Sequence, residues 1–286
     1  MIPPWSLGFA ALWHPELMAA TLLLAFAYLQ VVGPLRHRFG AAEAVAADRI
    51  AAFLAGLVVL YVAQGTPLEV LANAYLFSAH ILQAVLLVFA APPLLLYGLP
   101  PWLLRPLFRT RSARRLALYL TNPVRALVVF NAALALFLFP RLNELALANG
   151  WLYLLEHVLA IVSAFLLWWR VIVRIPETPP LDGAGLVVYT FAIEVIMTLP
   201  FALITFSGVP VYPTYAHAVR VIPLSPLEDQ QLGGILLRLG SMLSVGGIFA
   251  RSFFRWARGE RKMDATLKAQ LDLVSGEAWT RRVDRP

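Results

Sequence analysis

Long apolar runs broken by short polar connections organise this 286-residue chain. Several runs approach the ~20 residues that cross a ~30 Å hydrocarbon core, and the charged residues fall almost wholly between them. The pattern predicts seven helices, over 17–32, 50–64, 72–96, 123–139, 151–171, 185–206 and 232–254. The second and fourth are short, and charge supports keeping them. With seven spans, every Lys and Arg of the 23 except Arg141, Arg220 and Arg238 falls on one side of the membrane. By the positive-inside rule that side is cytoplasmic, giving an all-α polytopic integral membrane protein of seven transmembrane helices, N-out and C-in.

Composition agrees. Hydrophobic residues make up 60% of the chain and charged ones 14%, and the mean hydropathy is +0.74, far from the balance of soluble domains. Residues 1–254 form the membrane domain, and 255–286 a basic cytoplasmic tail suited to anionic headgroups. The amino terminus has no Lys or Arg before its first apolar stretch and does not read as a cleavable signal peptide. Trp5, Trp13, Trp102, Trp151, Trp168 and Trp169 sit near the expected interfaces as anchors. The formal charge of +7 belongs to orientation, because no aromatic-interleaved basic surface for nucleic acid is present.

Polar residues inside the runs carry the candidate chemistry. At 1.5 Å per residue, His80 lies about 13 Å below the outer end of the third helix, with Glu156 and His157 about 8 to 9 Å down the fifth. The outer connections add His14, Glu16, Glu144, "VYPTYAH" at 211–217 and "SPLEDQQLGG" at 225–234, which carries Asp229 and Gln230. With no cysteine, any metal must use His, Met, carboxylate or amide ligands. Ionisable groups are expensive in a membrane, so an outward-facing metal site at His80, His157, Glu156 and Asp229 is one reading. The other is that the imidazoles only hydrogen-bond between helices. Gln83, on the His80 face, either orients that imidazole or ties a neighbouring helix. Glu194 and Arg238 lie at similar depths and are expected to pair, as a structural tie or as part of an ion path. Pro92 and Pro93 are expected to kink or stop the third helix.

Three stretches, "SAHILQAVLLVFAAPPLLLYGLP", "LYLLEHVLAIVSAFLLWWRVI", and "YPTYA" followed by "PLSPLEDQQLGGILLRLG", resemble the polytopic CtaG family of assembly factors for caa-type cytochrome c oxidases. The likeness runs from the first helix to the seventh. Ser78, Ala79, His80 and Gln83 match the family pattern, whereas Ile81 and Ala84 replace its methionine and second histidine, and Leu236 and Leu237 replace methionine and tryptophan. The resemblance implies a bacterial plasma membrane protein that assists assembly of a haem–copper terminal oxidase. Its implied partners are membrane lipid and oxidase subunits, and copper is its implied cargo, delivered at the outer face.

Two other classes stay open beside that reading: a metal-free scaffold that grips an oxidase subunit, and a small-cation transporter built on Glu194. The only lysines are Lys262 and Lys268 in the tail, which excludes a retinal Schiff base within the seventh helix. No phosphate-binding glycine loop, nucleophile elbow or zinc-protease His pair occurs, so the chain does not read as an enzyme.

Overall fold

A computed structural model of the chain describes residues 6–39 and 43–258. After a short turn of helix at Phe9–Trp13, ten helices of eight residues or more follow among the described residues, with single turns at Arg36–Phe39, Pro101–Leu104, Arg105–Phe108 and Pro213–Ala216 between them. They are α1 Pro15–Val32, α2 Ala47–Gln64, α3 Pro67–Ala74, α4 Phe77–Gly98, α5 Arg111–Leu120, α6 Pro123–Leu138, α7 Pro140–Ala148, α8 Gly150–Ile172, α9 Gly183–Thr205 and α10 Pro226–Arg258. Among the described residues no strand forms, only an isolated bridge between Ile175 and Thr178.

Six helices, α1, α2, α4, α8, α9 and α10, are long and apolar enough to cross a membrane alone. The seventh expected span is α6, preceded by α5 at a 68° bend. In α5, "RSARRLALYL", arginines and apolar residues segregate to different sides, the pattern of a helix lying along an interface. The fold is thus a polytopic helical bundle of six spans, or seven with the bent pair counted as one.

Short local signals set the helix starts. Asn122 and Asn149 accept hydrogen bonds from the first amides of α6 and α8, Thr66 and Thr110 do so for α3 and α5, and Ser225 forms a capping box with Glu228 on α10. Proline opens α1, α3, α6, α7 and α10, where its missing amide costs nothing.

Contacts sort the connections into two ends. At one end Tyr28 donates to Gly98 O, Arg49 donates to Tyr97 O, and Arg105 lies 3.9 Å from Glu177. This is the arginine-rich end. At the other, Tyr61 donates to Trp13 O, Tyr212 to Leu138 O, and Tyr215 to Ala72 O.

α4 is the axis of the bundle. Of its most apolar stretch 72% is buried, against 11% for α1, which presents Leu22, Leu23, Leu24 and Phe26 outward. α10 packs closely on α4 because a Cβ at Gly233 would come within 2.7 Å of the Phe77 ring, and one at Gly240 would collide with Val85.

The structure corrects three expectations. The third helix does not run from 72: the chain breaks at Tyr75 and Leu76, leaving Ala72–Ala74 to α3. His80 is therefore only about 4.5 Å along α4 at 1.5 Å per residue. Of the two outcomes expected for Pro92 and Pro93, a kink or a stop, the stop does not occur: the helix passes through a π turn over Leu86–Ala90 and continues to Gly98. Trp168 is fully buried, its indole N–H bonded to Val88 O at 2.9 Å, so it belongs to the core and is no interfacial anchor. Trp5 lies outside the described residues, as does the tail from 259 onward; α10 itself carries the helix past 254 to Arg258.

Candidate functional site

The amino end of α4 is capped by a residue far along the chain. Leu76 offers no side-chain cap, and the four amides that open any helix need acceptors. Asp229, on the first turn of α10, supplies acceptors for two of them: its two oxygens accept from Phe77 N at 2.8 Å and Ser78 N at 3.2 Å, and also from the Ser78 hydroxyl. The carboxylate thus sits at the positive end of the α4 dipole. The sequence offers Asp229 as a loop ligand for a metal; the structure puts it on a helix, with both oxygens committed to α4. Gln230 beside it accepts from Val211 N and donates to Ile204 O, joining α9 to α10.

His80 follows one turn into α4 and has no exposed surface. Its ring stacks on Phe137 of α6, with centroids 4.4 Å apart at 15°, and its Nε2 lies 3.1 Å from the Asn143 amide of α7. His157 of α8 packs on the same Phe137 at 5.4 Å and on Tyr153 at 4.0 Å. The bundle therefore brings the two predicted imidazoles against one phenyl ring.

Protonation follows from the partners. His157 Nδ1–H donates to Tyr153 O at 2.9 Å, which leaves Nε2 as a lone-pair nitrogen, buried and without a partner. For His80, an Asn143 N–H donated to Nε2 puts the ring proton on Nδ1. Turned over, the amide accepts from Nε2–H and leaves Nδ1 with the lone pair; both arrangements fit the contact. His80 Nδ1 is likewise buried and unpartnered.

Glu156, adjacent to His157, is 7% exposed, and neither of its oxygens has a hydrogen-bond partner. Asn73 Oδ1, Gln83 Oε1, Asn143 Oδ1 and the Tyr153 hydroxyl are also buried and unpartnered. Gln83 donates its amide to Ala63 O, tying α4 to α2. Leaving a buried polar atom unsatisfied costs roughly 1–3 kcal/mol, so this concentration near one end of the bundle is expensive. Tyr215 overlooks the same region: burial, then the neighbouring Tyr153, Glu156, Glu144 and Tyr212, push its phenol well above the ordinary range. Among the described residues no three His, Asp or Glu side chains form a group that could hold a metal ion.

Deeper in the membrane the expected ion pair is present. Arg238 Nη1 lies 2.9 Å from Glu194 Oε2 and donates to Glu194 O at 3.1 Å, joining α9 and α10.

Sequence reasoning missed Phe137 and Asn143, the residues that hold His80, and also Tyr153, Asn73 and Glu69. Only Tyr153 left a local signal, four residues before His157 on the same helix face. The rest reach the site through long-range packing.

Two comparisons with known proteins, one against curated sequences and one against solved structures, found no match. A family model described as cytochrome c oxidase caa3 assembly factor (Caa3_CtaG) matches residues 26–259, which include α4, α6, α7, α8 and α10 and with them every residue of the buried polar site. The chain belongs to that family of caa3-type oxidase assembly factors.

Proposed function

We propose that this protein assists assembly of a caa3-type oxidase by holding copper as cargo near the arginine-poor end of the bundle, which faces away from the cytoplasm of a bacterial cell. The observation that carries the reading is the pair of buried imidazoles on Phe137, each with an unpartnered nitrogen. Neutral imidazole suits copper, and two such ligands with the Glu156 carboxylate nearby make a weak site, as hand-over to an oxidase subunit requires. Asp229 is left out of this shell because its oxygens cap α4. The role is binding and transfer rather than catalysis, with oxidase subunits as partners within the membrane.

Copper content of the purified protein, measured beside His80→Ala and His157→Ala, tests the reading. The wild type should retain copper and each variant should lose most of it; equal copper in all three overturns the ligand assignment.

One observation favours a second reading. His80 already has Phe137 and Asn143 as packing partners, and the described residues hold no three-ligand group. In that reading the histidines only lock the core, and the protein is a metal-free scaffold for an oxidase subunit. Equal rescue of oxidase activity in a deletion strain by the wild type and the double histidine variant would select it.

A further inference from the structure

We infer that the cleft at the arginine-rich end of the bundle seats the headgroup of an anionic phospholipid carrying two phosphates, held by Arg38, Arg105 and Arg109. The seat stands apart from the copper reading, which concerns the opposite end of the bundle.

The cleft has a volume of about 720 Å³ and forms where the turn after α1 meets the turns after α4. Arg38 comes from the first, Arg105 and Arg109 from the second. Glu177, on the connection between α8 and α9, is the one carboxylate in the lining among the described residues. Three guanidinium groups against one carboxylate leave two positive charges uncompensated. Among the described residues those guanidinium groups make no hydrogen bond to the protein, and their one ion-pair contact is Arg105 Nε with Glu177 Oε1 at 3.9 Å. The donors are free for a ligand.

Packing, not charge, fixes the walls. Phe39 lies against Trp102 with ring centroids 5.8 Å apart, which ties the turn after α1 to the turns after α4. Phe108 is buried and packs on Trp169 of α8 at 6.4 Å, and the Trp169 indole donates to the Thr178 hydroxyl at 2.9 Å. The bridge between Ile175 and Thr178 then holds Glu177 within its loop. The arginines thus project from a preformed frame, which lowers the ordering cost of binding.

Depth and rim select a lipid over a free phosphate. α5 begins two residues after Arg109 and has the pattern of an interfacial helix, with Leu116 and Tyr119 exposed, so the cleft opens at headgroup level. Phe39 and Leu107 are also exposed beside the arginines, an apolar rim that acyl chains cover. Guanidinium forks match phosphate oxygens in pairs, and basic pockets between helix ends suit two-phosphate headgroups such as that of cardiolipin. Two phosphodiesters balance the two uncompensated charges.

Native mass spectrometry of the full chain in detergent, titrated with cardiolipin and with one-phosphate phosphatidylglycerol, tests the seat. Cardiolipin should bind more tightly, and equal binding overturns the two-phosphate assignment. Arg105→Gln with Arg109→Gln should weaken cardiolipin roughly 25-fold, about 5-fold for each cation removed near the membrane surface. Arg114→Gln with Arg115→Gln removes the same charge from α5 outside the cleft and should leave binding nearly unchanged; equal losses in the two double variants overturn the seat. If the cleft variant does not fold, Arg38→Gln, on a separate connection, decides the same question, with a loss of roughly 5-fold expected and no loss overturning it. Glu177→Gln removes the opposing charge and should tighten binding, whereas unchanged or weaker binding overturns the charge balance. Inorganic phosphate at the lipid's concentration should not displace cardiolipin, and displacement would make the ligand a free phosphate and overturn the lipid assignment.

Discussion

Asp229 shows how one side chain can fix the start of a helix far from it in the chain. It closes the amino end of α4, and the first turn that it fixes carries Ser78 and His80. Asp229→Ala should therefore lower stability by about 2 kcal/mol, the size expected for a lost cap with charge-assisted bonds, whereas Asp229→Asn should retain part of it. Thermal unfolding in detergent compares the two; equal midpoints for both variants and wild type would contradict the capping role. Glu69 gives a pH signature. Burial raises its carboxyl above the ordinary range, against a smaller lowering pull from His14 and Asn73. The fold favours the neutral form, so the stability from this group is whole below the ordinary carboxylate value and is lost as pH rises through the raised one. Glu69→Gln, which mimics the neutral carboxyl, should have a midpoint close to wild type at low pH and become the more stable of the two as pH rises across that window, the difference levelling off above it. A difference that stays constant with pH would refute the shift.

At the scale of elements, the π turn in α4 and the burial of Trp168 have one cause. Val88 O would accept from residue 92 in an α-helix or from residue 93 in a π turn, and both are proline. No backbone donor can reach it, and the Trp168 indole on α8 fills the gap at 2.9 Å. Trp168→Phe should cost about 1–3 kcal/mol by orphaning that carbonyl, and Pro92→Ala in the same background should recover part of the loss by restoring an amide. A double-mutant cycle measures the coupling, and strictly additive effects would rule it out. The spans themselves were legible, because apolar length and arginine placement are properties of the chain alone. The break at Tyr75–Leu76 was not, since an apolar run in a membrane shows no periodicity that marks where one helix hands over to another. The two histidines of the candidate site were legible as costly intramembrane groups. Phe137 and Asn143 were not, because an aromatic or amide side chain becomes part of a site only when packing carries it there.

For the molecule as a whole, the Glu194–Arg238 pair binds α9 to α10 within the apolar layer. Removing one partner strands the other charge, with a penalty of roughly 3 kcal/mol, while removing both leaves a neutral contact. Glu194→Gln and Arg238→Gln should each reduce accumulation in membranes, and the double variant should restore it with oxidase assembly intact. Restored accumulation without oxidase assembly would instead give the pair a working part.

The cap on α4 also has a consequence in time. Asp229 follows Phe77 by 152 residues, and α8 and α10, which pack on α4 from two sides, are both synthesised after it. The most polar segment of the core thus enters the bilayer early and stands there half-dressed until the last helix arrives. Completion of α10 is the event that converts a loose set of spans into a sealed bundle, and a chain stalled before it would show the cell's proteases the very groups that the finished protein hides.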